Sequence, residues 1–258
     1  MKKRSLCLIL AVIMLLCLCS CGGGTGRYKI IRTLDSREYS IAFRSGDSTY
    51  HYVDKALRQL NYDGEIDALA QKWLGDDGAV SFAKQKNAMA QLGYVEPRDF
   101  IIGVDLDSYP MCFESGDGYD GFDVELARLV CQKLGWTLKV QPIRSEDTYA
   151  QLNSGNIDCA WGGVACDTDT DKYTVLRTYA TADLVIAAKN RNSVGGRTLY
   201  MGTSQYYLDV LAENKNVSDR LGQISRVNGT MTELFAALDR DECELILTTD
   251  LGVYYANR

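Results

Sequence analysis

The chain has 258 residues, with 28 Lys plus Arg, 34 Asp plus Glu and a formal net charge of −6. This acidic balance argues against nucleic acid as a partner. With one histidine in the chain and no CxxC spacing among the cysteines that follow its first 21 residues, no metal or cofactor is predicted.

The first residues predict a targeting segment. Three cations precede the apolar run Leu6–Leu18, which has the length of a secretory signal and is too short for an ordinary transmembrane helix. The Leu-Cys-Ser-Cys run that follows resembles a bacterial lipobox with Cys21 as the lipidated residue, and plain cleavage near Ser20 is the alternative. We therefore expect a lipoprotein signal peptide at 1–20 and a flexible tether at 21–26.

Removal of that leader leaves 25 Lys plus Arg against 34 acidic residues. The mature chain, about 235 residues long, suits two modest α/β lobes better than one core. The cysteines beyond the leader and lipobox are odd in number, so a paired-disulfide framework is not favoured and we expect most to be buried small apolar side chains. They are Cys112, Cys131, Cys159, Cys166 and Cys243.

The front of the mature chain predicts two strands and two helices. The strands are Tyr28–Ile31 and Glu38–Phe43, and the helices are Tyr50–Leu60 and a second that ends at Gly75. The connector Asp76–Arg98 follows. Its middle, Val80–Leu92, is rich in Ala, Lys, Gln and Met, so we expect a helix lying over the first lobe.

Residues 100–163 predict a βαβαβ unit, which binds ligands outside the carboxyl ends of its strands. Asp123 is placed to be an N-cap, and Gly135 to end the same helix. The elements are strand Phe100–Val104, the helix after Gly121, strand Thr137–Val140, helix Asp147–Leu152 and strand Ile157–Trp161.

The remainder predicts a hinge strand and a second lobe. The elements are strand Val185–Ala188, strand Thr198–Met201, helix Ser204–Glu213, strand Ile224–Val227, helix Thr232–Leu238, strand Glu244–Leu247 and helix Leu251–Ala256. An α/β lobe of this kind is expected to continue into one more strand after its last helix, and no such strand follows in the sequence. Tyr28–Ile31 matches that strand in its apolar character and in the place it would take.

Three segments carry a family resemblance: GVD with Pro110 and Phe113 soon after, then GFDVELARLVCQKLG, then LNSGNIDCAWGG. Together they resemble the N-terminal half of the family 3 extracellular solute-binding proteins, the amino-acid-binding components of ABC importers. EYSIAFRSGD and VDKALRQLNYDGEIDALAQKWLG resemble the closing segment of that family, which here comes first. The resemblance implies a two-lobed, type II periplasmic-binding-protein-like α/β fold, each lobe an open, mostly parallel sheet with helices on both faces.

The order of these segments indicates a circular permutation. Lobe 1 is then 39–189, including the joining segment 76–98, and lobe 2 is 27–38 plus 190–258. A cut in an exposed loop is tolerated because it breaks no buried contacts. A fragment of a tandem protein is the alternative.

The resemblance also implies ligand-binding positions. Asp250 stands where the family binds an α-ammonium; the alternative is that it only caps the last helix. Thr203 and Ser204 stand in the turn that holds a ligand carboxylate in the family; the alternative is that they only cap a helix. The other candidates are Asp105 for a cationic side chain, Tyr109 (or Ser108) as an aromatic wall, and Gly162 and Gly163 as exposed strand-end backbone.

Three departures weaken the match at the ligand. Ala165 replaces a hydroxyl residue, Asp171 replaces the Arg that clamps a carboxylate, and Ser145 replaces an aromatic residue. The loop after residue 163 contains three acids: Asp167, Asp169 and Asp171. Together with Asp105 they suit a cationic ligand; the alternative is that they belong to a solvated loop.

The function implied is a membrane-anchored, extracellular, monomeric solute-binding protein that delivers an amino acid or small amine to an ABC permease, without catalysis. A ligand sensor or a scaffold with a decayed pocket is the alternative. A dehydratase on this fold would need carboxylate-binding cations and a positioned general acid, which the residues do not supply.

Overall fold

The computed structural model describes residues 26–164 and 172–258. Its strands are β1 (Lys29–Arg44), β2 (Asp99–Val104), β3 (Phe113–Ser115), β4 (Gly118–Asp120), β5 (Thr137–Pro142), β6 (Cys159–Gly162), β7 (Tyr173–Ala188), β8 (Thr198–Met201), β9 (Gln223–Arg226) and β10 (Leu245–Thr249). Its α-helices are α1 (Thr49–Tyr62), α2 (Glu65–Trp73), α3 (Phe122–Leu134), α4 (Thr148–Ser154), α5 (Gln205–Glu213), α6 (Lys215–Ser218), α7 (Met231–Asp239) and α8 (Asp250–Ala256).

Eight strands form one sheet in the order β5-β2-β6-β1-β7-β10-β8-β9, and β3 and β4 form a separate hairpin. The strands at each end of the sheet pair in parallel, β5-β2-β6 on one side and β10-β8-β9 on the other. β1 and β7 pair antiparallel between them. The predicted α/β class, with mostly parallel strands, is confirmed, but the strands expected to form one sheet in each lobe belong to a single sheet.

The long strands β1 and β7 join the two halves. They pair from Lys29 opposite Ala188 to Arg44 opposite Tyr173. The sequence predicted two short strands where β1 is continuous, because residues 32–37 lack an apolar pattern. Pairing with β7, through several register shifts, extends the strand across them, since strand formation depends more on a partner than on local propensity.

The start of β1 lies in the half that contains β8, β9 and β10. Its neighbour β7 pairs with β10. The Tyr28 N–H donates to Asn257 Oδ1 at 2.8 Å, and Asn257 Nδ2 donates to the Tyr28 carbonyl at 2.9 Å. The Tyr28 hydroxyl donates to Asp239 Oδ2 at 2.9 Å. The residue that precedes the first strand is therefore held at the ends of the last two helices.

Alternating side chains divide each half into two buried layers. In β10, Leu245 and Leu247 pack on one face of the sheet, and Ile246 packs on the other with α7. In the other half, Phe43 packs with helices α1, α2 and α3, while Ala42 faces the side covered by α4. Helices cover both faces because strands buried on both sides need apolar partners on each.

The ends of helix α3 confirm one prediction and correct another. Gly135 ends it in the left-handed conformation, with φ of 72°, which glycine adopts without steric cost. Asp123 is not the N-cap: Gly121 holds that position. Asp123 lies buried in the first turn, where its carboxylate accepts a hydrogen bond from the Tyr179 hydroxyl. Burial raises its pKa to about 7.

The predicted helix at Val80–Leu92 is wrong. Val80–Leu92 contains one short 3-10 turn, Ala88–Gln91, and another, Asp77–Ala79, precedes it. The Ser81 N–H donates to the Tyr179 carbonyl at 2.8 Å, and the Phe82 ring stacks on that of Tyr179. Because these backbone groups bond to neighbouring elements, they do not form a helical turn of their own.

Across residues 26–164 and 172–258, no helix combines the length and apolar character needed to span a bilayer. The same residues contain no group of three or more His, Cys, Asp or Glu side chains arranged to hold a metal ion. The described cysteines are all buried, as predicted: Cys112, Cys131, Cys159 and Cys243. Cys166 lies outside the described residues, as do the leader and Cys21.

Candidate functional site

A cavity of 710 Å³ opens where the parallel strands of both halves end. Asp105 follows β2, and Ile143 follows β5. On the opposite side, Thr203 follows β8 and Asn228 follows β9. Ligands of open α/β sheets bind outside the carboxyl ends of parallel strands, and the volume suits a small molecule. This cleft is therefore the candidate binding site.

The lining of the cleft is acidic. Among the described residues it contains one cationic side chain, Arg144, whose Nε donates to Asp147 Oδ2 at 2.9 Å. Its carboxylates come from both halves: Asp105, Asp107, Glu114, Asp147 and Glu233. An excess of negative charge in a cleft concentrates cations there. The cleft thus favours a positively charged ligand.

Asp107 is the carboxylate most affected by its surroundings. Burial raises its pKa to about 6, and the charge of Asp105 acts in the same direction, against the lowering effects of Arg37 and the Ser204 amide. A Cβ at Gly202 would come within 3.0 Å of Asp107 Oδ1. The carboxylate therefore lies against the turn that the sequence predicted to hold the carboxylate of a ligand.

The two predicted turn residues line the cleft. Thr203 lines the larger cavity and an adjoining one of 250 Å³, which Ser204 also lines. The Thr203 carbonyl accepts a hydrogen bond from Arg226. Ser204 is the N-cap residue of α5, but its side chain makes no capping hydrogen bond. Both residues stand where a ligand in the cleft can reach them.

Arg37 lies beside the cleft and was missed by sequence reasoning. Its Nη2 donates to Asp105 Oδ2 at 2.6 Å, and each side chain is 12% exposed. The guanidinium carbon lies 5.2 Å from the centre of the Tyr206 ring. The available signal was that Arg37 is one of two arginines, with Arg32, between two predicted strands. Nothing near it in sequence indicates a partner 68 residues away.

The two candidate glycines pack against side chains of the chain itself. Gly162 has φ of 90°, and a Cβ there would clash with Asp123 Oδ2. A Cβ at Gly163 would come 2.9 Å from Ser108 Oγ and 3.0 Å from Arg37 Cζ. These glycines were expected to let a ligand come close to the backbone. In the structure, side chains of the protein itself occupy those close positions.

Asp250 lies in the first turn of α8 rather than at its cap. Its Oδ1 accepts from the Asp183 N–H at 3.0 Å and from the Leu251 N–H at 2.8 Å, and burial raises its pKa. The N-cap is Thr249, whose Oγ1 accepts from the Gly252 N–H at 3.0 Å. The capping alternative for Asp250 was therefore wrong by one residue.

Tyr109 lies in an aromatic cluster rather than in the lining of either cavity. Its ring packs against Phe113, Phe235 and Tyr255, with centroids 5.0, 6.2 and 5.4 Å away. Its carbonyl accepts from Thr249 Oγ1 at 2.9 Å. The contacts join side chains from both halves of the chain, so the ring contributes to packing between them.

The acidic loop that follows β6 lies outside the described residues. It contains Ala165, Asp167, Asp169 and Asp171. The resemblance implies a hydroxyl residue at the position of Ala165 and an arginine at the position of Asp171. Ser145, the third departure, is described. Its Oγ lies 3.5 Å from Arg37 Nη2.

Comparisons with known proteins show what the chain is similar to. The sequence profile of the bacterial extracellular solute-binding proteins, family 3, matches residues 100–246. The chain is similar to the arginine-binding extracellular protein ArtP of Bacillus subtilis (strain 168), with 28% identity over 98 residues, 38% of this chain. The match also spans 38% of that relative's length.

Two solved structures illustrate the likeness in three dimensions. An ABC uptake transporter substrate binding protein from Streptococcus pneumoniae with bound histidine has 24% identity and a TM-score of 0.43, covering 61% of this chain and 68% of that one. An ancestral arginine-binding protein bound to arginine has 19% identity and a TM-score of 0.40, covering 59% and 70%.

Proposed function

Because the chain belongs to the bacterial extracellular solute-binding proteins of family 3, we propose that it captures a small cationic amine or amino acid in the cleft. The observation that carries the proposal is the acidic lining, in which five carboxylates surround a 710 Å³ cavity that holds one arginine among the described residues. Arg144 is already paired with Asp147. A cationic ligand would therefore find carboxylates on both sides of the cleft.

One named relative supports the same ligand class: ArtP of Bacillus subtilis is described as arginine-binding. We propose that Asp107 and Thr203 contact the ligand inside the cleft, which Asp105 also lines in its ion pair with Arg37. Ser204 would receive its polar groups from the second half, while Asp250, Tyr109, Gly162 and Gly163, which line neither cavity, would support the walls.

The proposal includes a place at the cell surface. The N-terminal run and Cys21 support a lipid anchor on the extracellular face of a bacterial membrane. An ABC permease would accept the ligand from a monomeric binding protein, which acts by recognition and without catalysis. These statements rest on the sequence and on membership of the family.

We also propose that the chain is a circular permutant, with lobe 2 made of 27–38 plus 190–258 and lobe 1 of 39–189. Two contacts support the assignment of residues 27–38 to lobe 2. Lys29 pairs with Ala188 in the sheet half that contains β10, and the Tyr28 main chain bonds to Asn257. Farther along the same strand, Ser40 pairs with Gly162 in the other half.

A thermal-shift screen tests the binding proposal. The probes are L-histidine, L-lysine, L-arginine and putrescine, with L-glutamate as the anionic control. A ligand at a hundred times its dissociation constant adds about 2.7 kcal/mol to the free energy of unfolding. We expect a cationic probe to raise the melting temperature, with a smaller rise at high salt because salt screens charges.

Matched variants locate the binding. Glu114→Gln and Asp147→Asn each remove a cleft carboxylate and should weaken binding roughly three- to fivefold. Glu213→Gln removes an exposed carboxylate at the end of α5, outside the cleft lining, and should leave affinity unchanged. Equal effects of all three substitutions would place binding elsewhere.

A sensor or decayed-pocket module is the second candidate, favoured by the Asp105–Arg37 ion pair. In this pair Arg37 already neutralises the charge of Asp105, a carboxylate of the cleft. That reading predicts that the folded protein shows no shift with any probe, which is the result that would overturn the transport proposal.

A further inference from the structure

Arg37 occupies a site whose chemistry matches a guanidinium group. Its Nη2 bonds to Asp105 Oδ2 at 2.6 Å, and its planar head lies over the ring of Tyr206, 5.2 Å from the ring centre. A carboxylate beside an aromatic face suits a guanidinium better than an ammonium, because the guanidinium is planar, stacks on rings and is weakly hydrated.

Small residues give this site its shape. A Cβ at Gly163 would approach Arg37 Cζ and Nε to 3.0 Å, tighter than ordinary packing. Ser145 adds a hydroxyl 3.5 Å from Nη2. Any larger side chain at either position would compete with the guanidinium for space. The site therefore fits the group in shape as well as in charge.

Both carboxylate oxygens of Asp105 already accept hydrogen bonds from the chain itself. Its Oδ1 accepts from the Asp107 N–H at 3.0 Å, and its Oδ2 accepts from Arg37. Because Arg37 is tethered by the fold, it competes at a high effective concentration. The entropy of ordering the Arg37 side chain is lost when the protein folds, whereas a free ligand loses its entropy when it binds. A free cation would have to displace it.

We propose that Arg37 is a specificity-determining residue, which fills a guanidinium subsite from within and excludes guanidinium-bearing ligands from it. The ligand cation is then received farther along the cleft, near Asp107, Glu114 and Asp147, which line the larger cavity. This inference rests on the proposed function, because it concerns which cations the same cleft accepts.

Replacing Arg37 tests the inference directly. Arg37→Ala leaves Asp105 without its cation beside an empty, guanidinium-shaped space. We expect the variant to bind L-arginine and methylguanidinium at least tenfold more tightly than the wild-type protein does, measured by calorimetry and thermal shift. L-Citrulline, which has the same length but no charge, should not gain affinity, since the vacant site requires a cation.

Three further variants complete the test. Arg37→Gln keeps a polar but shorter and uncharged side chain, and it replaces Arg37→Ala if that protein does not fold. The double variant Arg37→Ala/Asp105→Ala should lose the gain in affinity. Arg32→Ala, at an exposed position on the same strand, should bind both probes as the wild type does.

The inference is overturned if neither Arg37 variant binds L-arginine or methylguanidinium more tightly than the wild type. Equal gains for L-citrulline would also overturn it. Failure of the proposed function is a separate result: the wild type would bind none of the cationic probes, while the comparison between the wild type and the Arg37 variants would still decide the guanidinium site.

Discussion

Replacing Asp123 by asparagine should change how the stability of the protein depends on pH. The Asp123 carboxyl is buried and accepts a hydrogen bond from the Tyr179 hydroxyl. Burial raises its pKa from 3.8 to about 7. Asparagine keeps an oxygen acceptor for Tyr179 but cannot ionise, so it isolates the cost of the buried charge.

The sign follows from the raised pKa. Between about pH 4 and pH 7 the folded protein keeps a proton at Asp123 that the unfolded chain has lost. The free energy of unfolding therefore falls as pH rises through this window, and the loss is complete above about pH 7. A shift of about three pKa units corresponds to at most about 4 kcal/mol. Relative to the wild type, Asp123→Asn should gain up to that amount between pH 4 and pH 8.

Urea unfolding at half-unit pH steps measures the difference. Asp107, whose raised pKa of about 6 lies in the same window, is present in both proteins and cancels. Asp117→Asn, at an exposed position in the β3–β4 turn, is the matched control and should follow the wild-type curve. A constant difference between Asp123→Asn and the wild type across this range would refute the reasoning.

Two other predictions concern a helix end and the order of the chain. Thr230→Ala removes the capping box of α7 and should lower the free energy of unfolding by about 1 kcal/mol in urea titrations, whereas Thr232→Ala, at an exposed position on the same helix, should not. A chain that joins Arg258 to Gly26 through a short glycine-serine linker and opens after Gly93 should fold with a cooperative melting transition and a wild-type circular dichroism spectrum; a soluble but unfolded product would count against the permutation.

Elements with strong local patterns were predicted well. Thr198–Met201 coincides with β8, and Gly135 ends α3 as expected. These features depend on apolar spacing and glycine conformation within a few residues. The segment Val80–Leu92 was predicted as a helix from composition. Its backbone instead bonds to α1 and β7, as in the hydrogen bond from Asn61 Nδ2 to the Phe82 carbonyl at 2.6 Å.

The candidate site was predicted only in part. Asp105, Thr203 and Ser204 line the cleft cavities, because they follow strands whose ends a parallel sheet brings together. Asp107 was missed although it lies two residues beyond Asp105. Arg37 was missed because residues 32–37 lack an apolar pattern, so no strand was predicted that would place its side chain near Asp105.

Local patterns a few residues long were enough to predict the α/β class and most helix and strand positions. No local pattern indicates that β1 runs through both halves or that Arg37 meets Asp105 and Tyr206. Those contacts join residues far apart in the chain, so they depend on the path of the backbone and on which side chains it brings together.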